Sequence, residues 1–294
     1  MLKGRLGLET ARIPQADRHG LMWLGRGNLT VEDGTLRFTT AGTEELQPGE
    51  YLIPFQMVSC MLLGPGTTVS HDALRLLARH GTGLIFTGEG GVRLYASMPF
   101  GPDDSGLARR QATLWNNPER RMHAVRRMYA WRLGEVVPDA ELDALRGLEG
   151  ARMRETYKLL ARQYRIDWAG RRYDRQRPET DDLANQAINH AATAAEAAAM
   201  VAVAVTGALP QLGFIHEDSG ISFCLDIADL HRHSVTLPVA FAALRRFLEG
   251  KEQGLTLEAA VRKLAGRTFR QSKLIPKMID QIKELLSDDR DRDA

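Results

Sequence analysis

Residues 21–40 read LMWLGRGNLTVEDGTLRFTT. Short β-branched and aromatic runs alternate here with turn signals, so the segment predicts strand, turn, strand, turn, strand, with Glu32-Asp33-Gly34 closing a hairpin. The same texture continues outward. Residues 51–66, YLIPFQMVSCMLLGPG, are extended segments broken at Pro54. Residues 70–81, SHDALRLLARHG, predict one helix, with Ser70 as its N-cap and Gly81 as its stop. Residues 82–97, TGLIFTGEGGVRLYAS, return to strand, turn, strand. The Pro-, Gly- and Asp-rich run PFGPDDSG at 99–106 then suits a linker.

From Leu107 a helical period takes over. It predicts helices near 107–116, 118–134, 139–164, 180–206, 225–233, 238–250, 256–264 and 268–286. The most apolar run, AAEAAAMVAVAVTGAL, is short for a bilayer span and reads as a buried helix. The N-terminus MLKGRLGLETARIP carries no apolar signal core, which points to a cytoplasmic protein with no membrane partner. The two cysteines, Cys60 and Cys224, cannot supply a zinc quartet or a disulfide framework, although one bridge is open to them. The SDDRDRDA ending at Ala294 is polar and of mixed charge, as in a disordered tail.

With 39 Lys and Arg against 37 Asp and Glu, the formal net charge is only +2. An acidic partner must therefore be recognised by clustered charge. Three clusters stand out. Arg109, Arg110, Arg120, Arg121, Arg126, Arg127 and Arg132 interleave with Trp115, Tyr129 and Trp131, a mixture suited to phosphates and stacked bases. Arg154, Lys158, Arg162 and Arg165 recur on one helix face. Arg267, Arg270, Lys273 and Lys277 are expected to do the same on the last long helix. Any one stripe alone reads equally well as a solvated face, and together they favour nucleic acid. The glycine-rich runs GPGTTVSH and GEGG lack the form that cradles nucleotide phosphates and imply no nucleotide cofactor.

Residues 213–233, GFIHEDSGISFCLDIADLHRH, place His216, Asp226 and Asp229 in a short span. Asp226 and Asp229, at i and i+3, would project from one helix face and need a cation or a proton between them. A divalent metal would neutralise both carboxylates, with His216 adding an imidazole nitrogen, and such a mixed set suits Mg2+ or Mn2+. On local pattern alone the plainer reading, with Asp226 at a helix start and His216 in a turn, is the commoner one. His231 and His233 are turned away or supporting.

GLEGARMRETYKLLARQY (147–164), WAGRRYD (168–174), GFIHEDSGISFCLDIADL, TFRQSK (268–273), PGTTVSHDALRLLARHGTGLIF (65–86) and GEGGVRLYAS (88–97) bring the chain to a known family. It resembles the CRISPR-associated integrase and endonuclease of spacer acquisition, most nearly in its subtype I-E form, over almost its whole length. The resemblance implies a divalent ion held by Glu149, His216 and Asp229, with Asp226 supporting them in the active site. It places Lys273 and Arg270 toward the DNA or the charge that develops at the reacting phosphate, Tyr173 at the end of the incoming DNA and Arg93 at a DNA or subunit interface, while the basic stripe adds Arg154 and Lys158 as DNA-binding candidates. It further implies joining of a 3′-hydroxyl to a repeat by transesterification, with associated nuclease activity. It also implies a homodimer that assembles with a small second adaptation protein as a heterohexamer. Arg26 and Glu196 stand where relatives carry aromatics.

Taken together, these readings predict an α+β chain of two domains. Residues 1–98 would form a mainly β domain of two small sheets with one helix, 99–106 a linker, 107–286 an all-α catalytic domain and 287–294 a tail. A structure-selective nuclease that never joins DNA, or a DNA-holding subunit without activity, are the alternatives.

Overall fold

The structure, a computed structural model, describes residues 20–43, 46–97, 105–137, 140–171 and 182–287. Two units emerge. The β unit runs to Gly88 and resumes at Tyr95, while Glu89–Leu94 belongs with the helical unit that continues from Gly106. Arg93, placed in the N-terminal domain by its position in the chain, is therefore part of the helical unit.

In the β unit, β1 (Leu21–Leu24), β5 (Cys60–Leu63), β7 (Gly83–Thr87) and β8 (Leu94–Ser97) form one four-stranded sheet in that spatial order. A second sheet runs β4 (Gly49–Leu52), β3 (Thr35–Thr40), β2 (Gly27–Glu32), β6 (Thr67–Val69). β2 and β3 pair antiparallel around Asp33 and Gly34, whose φ angles of 50° and 72° are the positive pair that a tight hairpin turn demands. Helix α1 (His71–His80) starts as predicted: the Ser70 hydroxyl accepts from the Ala73 N–H, and Gly81 ends it at φ 65°. Leu29, Leu36, Phe38, Met61, Leu77 and Leu84 close a single core between these elements.

The helical unit comprises α2 (Gly106–Asn116), α3 (Pro118–Leu133), α4 (Leu142–Tyr164), α5 (Leu183–Thr206), α6 (Ser222–Asp229), α7 (Leu237–Leu248), α8 (Leu257–Gln271) and α9 (Leu274–Leu286). α5 is long and apolar enough to cross a membrane, but here it is the axis on which α6, α7, α8 and α9 pack. Its alanines allow this close approach, and Ala194, Ala195, Ala198 and Ala202 are buried. Cys60 and Cys224 are free and buried, one in each unit, and burial pushes both thiols up to about 12. They form no bridge.

Two helix boundaries differ from the periodicity. The helix expected over 225–233 begins at Ser222 and ends at Asp229, because the Phe223 N–H is drawn to Pro210 O at 2.8 Å and a π-helical turn at Arg232–Thr236 intervenes before α7. The break expected between residues 264 and 268 lies instead at Ser272–Lys273, where Lys273 adopts φ 53°. Gly266 does not interrupt α8, since it is the point where Gly90 of the 89–94 segment lies against the helix. Arg267 and Arg270 thus sit on α8 and only Lys277 on the last helix, so the third basic stripe is split. Arg165 likewise leaves the second stripe by capping α4 at φ 52°. The expected helix starts at 139 and 180, most of the linker and nearly all of the tail lie outside the described residues.

Enlarging a fully buried α5 alanine tests this packing. Ala198→Leu is expected to destabilise the helical unit by about 1–3 kcal/mol, through overpacking between α5 and its neighbours. Denaturant unfolding followed by helical circular dichroism would register the shift.

Candidate active site

The loop between α5 and α6 is fixed before it carries chemistry. Gln111 of α2, fully buried, donates to Leu209 O at 3.0 Å and Leu212 O at 2.9 Å and accepts from the Leu209 N–H at 2.7 Å. The Trp115 indole donates to Gly213 O at 3.0 Å, the Arg121 guanidinium to Phe214 O, and Arg146 to Ile215 O at 3.3 Å. A Cβ on Gly213 would lie 2.3 Å from His216 O and 2.7 Å from the Ser222 side chain, so only glycine permits the tight turn. Trp115 and Arg121, expected on a DNA surface, instead brace this loop. Arg126 and Arg127 are also engaged, the first with Ala140 O and Glu141, the second with Glu284.

The loop wraps the carboxylate of Asp226, which is fully enclosed. Oδ2 accepts from the Phe214 N–H at 2.6 Å and the Ile215 N–H at 3.1 Å. Oδ1 accepts from the His216 N–H at 3.0 Å and from His216 Nδ1 at 2.7 Å. A carboxylate only accepts, so in the neutral imidazole the proton resides on Nδ1 and Nε2 keeps the lone pair. The Asp226 hydrogen bond is also the main cause that raises the His216 pKa above its ordinary value.

His216 Nε2 lies 3.9 Å from Asp229 Oδ2. Asp229, at the last turn of α6, faces Glu149 of α4 across the guanidinium of Arg132 from α3. Arg132 reaches Glu149 Oε1 in a close ion pair and Asp229 Oδ2 at 3.3 Å. Arg232, which follows α6, holds the other Asp229 oxygen at 3.2 Å and reaches the Tyr157 hydroxyl at 3.4 Å. Burial, with the nearby Glu149 charge adding to it, pushes the Tyr129 phenol up to about 12. Burial, with the Asp229 charge adding to it and Arg132 opposing, raises the Glu149 carboxyl. Glu196 of α5 borders the same cluster and is raised by burial and by Asp229.

Glu149, His216, Asp226 and Asp229 therefore converge, but not in equal roles. Asp226 is the buried anchor, whereas Glu149 and Asp229 are less buried and paired with Arg132 and Arg232, and His216 Nε2 lies on the Asp229 side. Among the described residues no three His, Cys, Asp or Glu side chains are drawn close enough to hold an ion as they stand. The guanidinium of Arg132 occupies the place between the two carboxylates. Two carboxylate oxygens and a neutral imidazole nitrogen are nonetheless a donor set that Mg2+ or Mn2+ could use. Lys273 is exposed at the α8–α9 junction and makes none of the ion pairs of these four residues. Arg93 pairs with Glu258 of α8, and Lys158 with Glu155 at 2.9 Å, while Arg154 is exposed on α4 and Arg270 half-buried on α8. Tyr173 lies outside the described residues. Sequence reading missed Arg232 and misassigned Arg132. An arginine three residues after Asp229 was the available signal for the first, whereas only the crossing of α3 and α4 reveals the second.

Comparison with known proteins gives this chain relatives. The family model described as CRISPR associated protein Cas1 matches residues 21–137 and 132–269. A CRISPR-associated endonuclease Cas1 of Escherichia coli (strain K12) is 37% identical over 276 residues, covering 94% of this chain and 87% of that protein. A protein of the same name from Clostridium sp. (strain SY8519) is 38% identical over 257 residues, covering 86% and 83%. A solved structure titled TtCas1-DNA complex superposes with a TM-score of 0.79 at 30% identity, covering 92% of this chain and 97% of that one. By matched length, identity and fold, the chain belongs to the CRISPR-associated Cas1 family.

Proposed function

We propose that this chain is a divalent-metal-dependent DNA integrase of CRISPR adaptation, with endonuclease activity at the same site. The observation that carries the reading is the Nε2 of His216, held by Asp226 beside the carboxylates of Asp229 and Glu149. The relatives' names as endonucleases and the DNA-bound relative support a nucleic-acid substrate.

Glu149, Asp229 and His216 Nε2 would hold Mg2+ or Mn2+, which when bound polarises a phosphoryl oxygen and eases ionisation of the attacking hydroxyl. Asp226 fixes the imidazole tautomer and thereby keeps a lone pair on Nε2. With both ring nitrogens engaged, His216 is not the proton carrier. Arg232 holds Asp229 from its other oxygen and fixes the direction in which that carboxylate points. Lys273, Arg270, Arg154 and Lys158 would meet the DNA backbone, a sequence-independent attraction that weakens with salt. In the joining step the 3′-hydroxyl oxygen of the captured strand forms a bond to phosphorus at the repeat border. The bond from phosphorus to the 3′ oxygen of the DNA flanking the repeat breaks, that oxygen leaves as a 3′-hydroxyl by taking up a proton, and the repeat stays joined to the phosphorus through its 5′ oxygen. With water as attacker the same exchange is hydrolysis. The family resemblance extends the proposal to a homodimer that works with a small second adaptation protein.

Strand joining tests the reading. Purified protein, with and without its small partner, is given a short duplex with free 3′-hydroxyls and a supercoiled repeat plasmid in Mn2+, Mg2+ or EDTA. Joined product is expected only with metal, and Glu149→Ala and Asp229→Ala should each remove it. Cutting without joining would reduce the reading to a nuclease.

Asp226→Asn probes the tautomer. An amide offers one oxygen where two backbone N–H groups converge, and its NH2 then faces the His216 N–H and turns Nδ1 into an acceptor. Nε2 would carry the proton, so Mn2+ affinity measured by electron paramagnetic resonance should fall about 10- to 100-fold.

The raised His216 pKa predicts a pH signature in metal-free protein. Its stabilising contribution is fully present below the unfolded imidazole value of about 6.5 and is lost as pH rises through the higher folded value. The melting-temperature advantage of wild type over His216→Gln should therefore shrink with rising pH across that window. Mn2+ affinity should strengthen over the same interval, and a gap in melting temperature that widened with pH would contradict the assignment.

A further inference from the structure

Arg132 is the least ordinary group in the helical unit. Its side chain is 2% exposed, yet it ends between two carboxylates from different helices, Glu149 on α4 and Asp229 on α6. Its Nε is buried with no hydrogen-bond partner, so the guanidinium is paired at its tip and unsatisfied at its stem. Its carbon lies 5.3 Å from the centre of the Tyr129 ring, which gives the cation a polarisable wall from its own helix. Glu149 and Asp229 repel one another, and in the absence of another cation something positive must separate them. Arg232 does not fill that role toward Glu149, since it is committed to Asp229 and Tyr157.

We propose that Arg132 is a built-in counter-ion that occupies the divalent-cation seat and must be displaced for the metal to enter. This inference rests on the metal site proposed above. The guanidinium and the ion compete for the same oxygens, Glu149 Oε1 and Asp229 Oδ2, so metal binding is an exchange of one cation for another. A partner-less Nε marks the bridging position as one the arginine can leave, because its hydrogen-bonding capacity is incompletely used there. The chain gains from the arrangement in the metal-free state, where the two carboxylates would otherwise face each other across a half-buried gap. Arg132 thereby sets the threshold of divalent-ion concentration at which the site loads.

The exchange makes opposite predictions for stability and for affinity. In full-length protein without metal, Arg132→Gln should melt at a lower temperature than wild type, since the carboxylates lose their counter-ion. In a Mn2+ titration read by electron paramagnetic resonance it should bind about 10-fold more tightly, and saturating Mn2+ should raise its melting temperature by more than it raises that of wild type. Arg132→Lys keeps a cation but not the fork that spans two carboxylates, so it should fold and show a smaller gain in affinity. Affinity that is unchanged or weaker in a folded Arg132 variant would overturn the proposal, because an arginine that supports the metal from outside loses affinity when removed. A crystal of wild-type protein soaked in Mn2+ gives a test independent of any variant. The ion's anomalous signal between Glu149 and Asp229 with Arg132 turned away would support exchange, and the ion bound with the guanidinium still bridging would overturn it. Glu149→Ala separates the two levels of inference. Mn2+ binding that survives this substitution overturns the metal site and the exchange with it, whereas Glu149-dependent binding that ignores Arg132 overturns the exchange alone.

Discussion

The carboxylate of Asp226 accepts four hydrogen bonds inside the protein, three from consecutive backbone N–H groups and one from an imidazole. The shape of the loop and the setting of His216 follow from that enclosure. Three successive N–H groups can converge on one carboxylate only if the chain from Phe214 to His216 curls around it, and Gly213 supplies the room to begin the curl. A buried charge is tolerated in an apolar helix when its lone pairs are filled in this way. Once the curl is set, the histidine's orientation and tautomer are no longer free variables. The loop is further tied by Gln111, Trp115, Arg121 and Arg146, side chains from three helices.

Charge around this anchor is laid out in alternation. Glu149 and Asp229 are each flanked by a cation, and the cations come from different places in the chain: Arg132 from α3 and Arg232 from the turn after α6. The π-helical turn beginning at Arg232 takes the chain from Asp229 into α7 while keeping Arg232 on Asp229. His233 follows in the same turn, with Nδ1 3.2 Å from Thr156 Oγ1, and burial together with the neighbouring arginines lowers its pKa. A neutral imidazole there adds bulk without adding charge.

What could be read in the sequence was whatever local chemistry decides. The hairpin at Asp33-Gly34 and the ends of α1 at Ser70 and Gly81 depend on backbone preferences of a few adjacent residues, and these are written in the residue types. The start of α6 and the break at Lys273 depend on partners far along the chain, such as Pro210 O for Phe223, and no period in hydrophobicity reports them. The pair Asp226 and Asp229 shows the limit sharply. Spacing placed them on one helix face with a cation or a proton needed between them, whereas burial divides them into an enclosed anchor and a carboxylate held between arginines. The basic cluster of α2 and α3 shows the same limit. Counting arginines suggested a phosphate surface, but Arg121, Arg126, Arg127 and Arg132 are spent on the chain's own carbonyls and carboxylates, and nothing short of the helix packing distinguishes them from arginines left for a ligand.

The 89–94 segment lies between two strands of the β unit, yet it packs in the helical one, with Gly90 against Gly266 and Arg93 on Glu258. The chain therefore passes between the units three times, near residues 88, 94 and 105. During synthesis the β strands emerge first, but α8, against which this segment rests, is made only near the end. The excursion must wait exposed until most of the polypeptide has left the ribosome, so completing the helical unit is tied to the full length of the chain and the order of assembly is not simply N-terminal unit first.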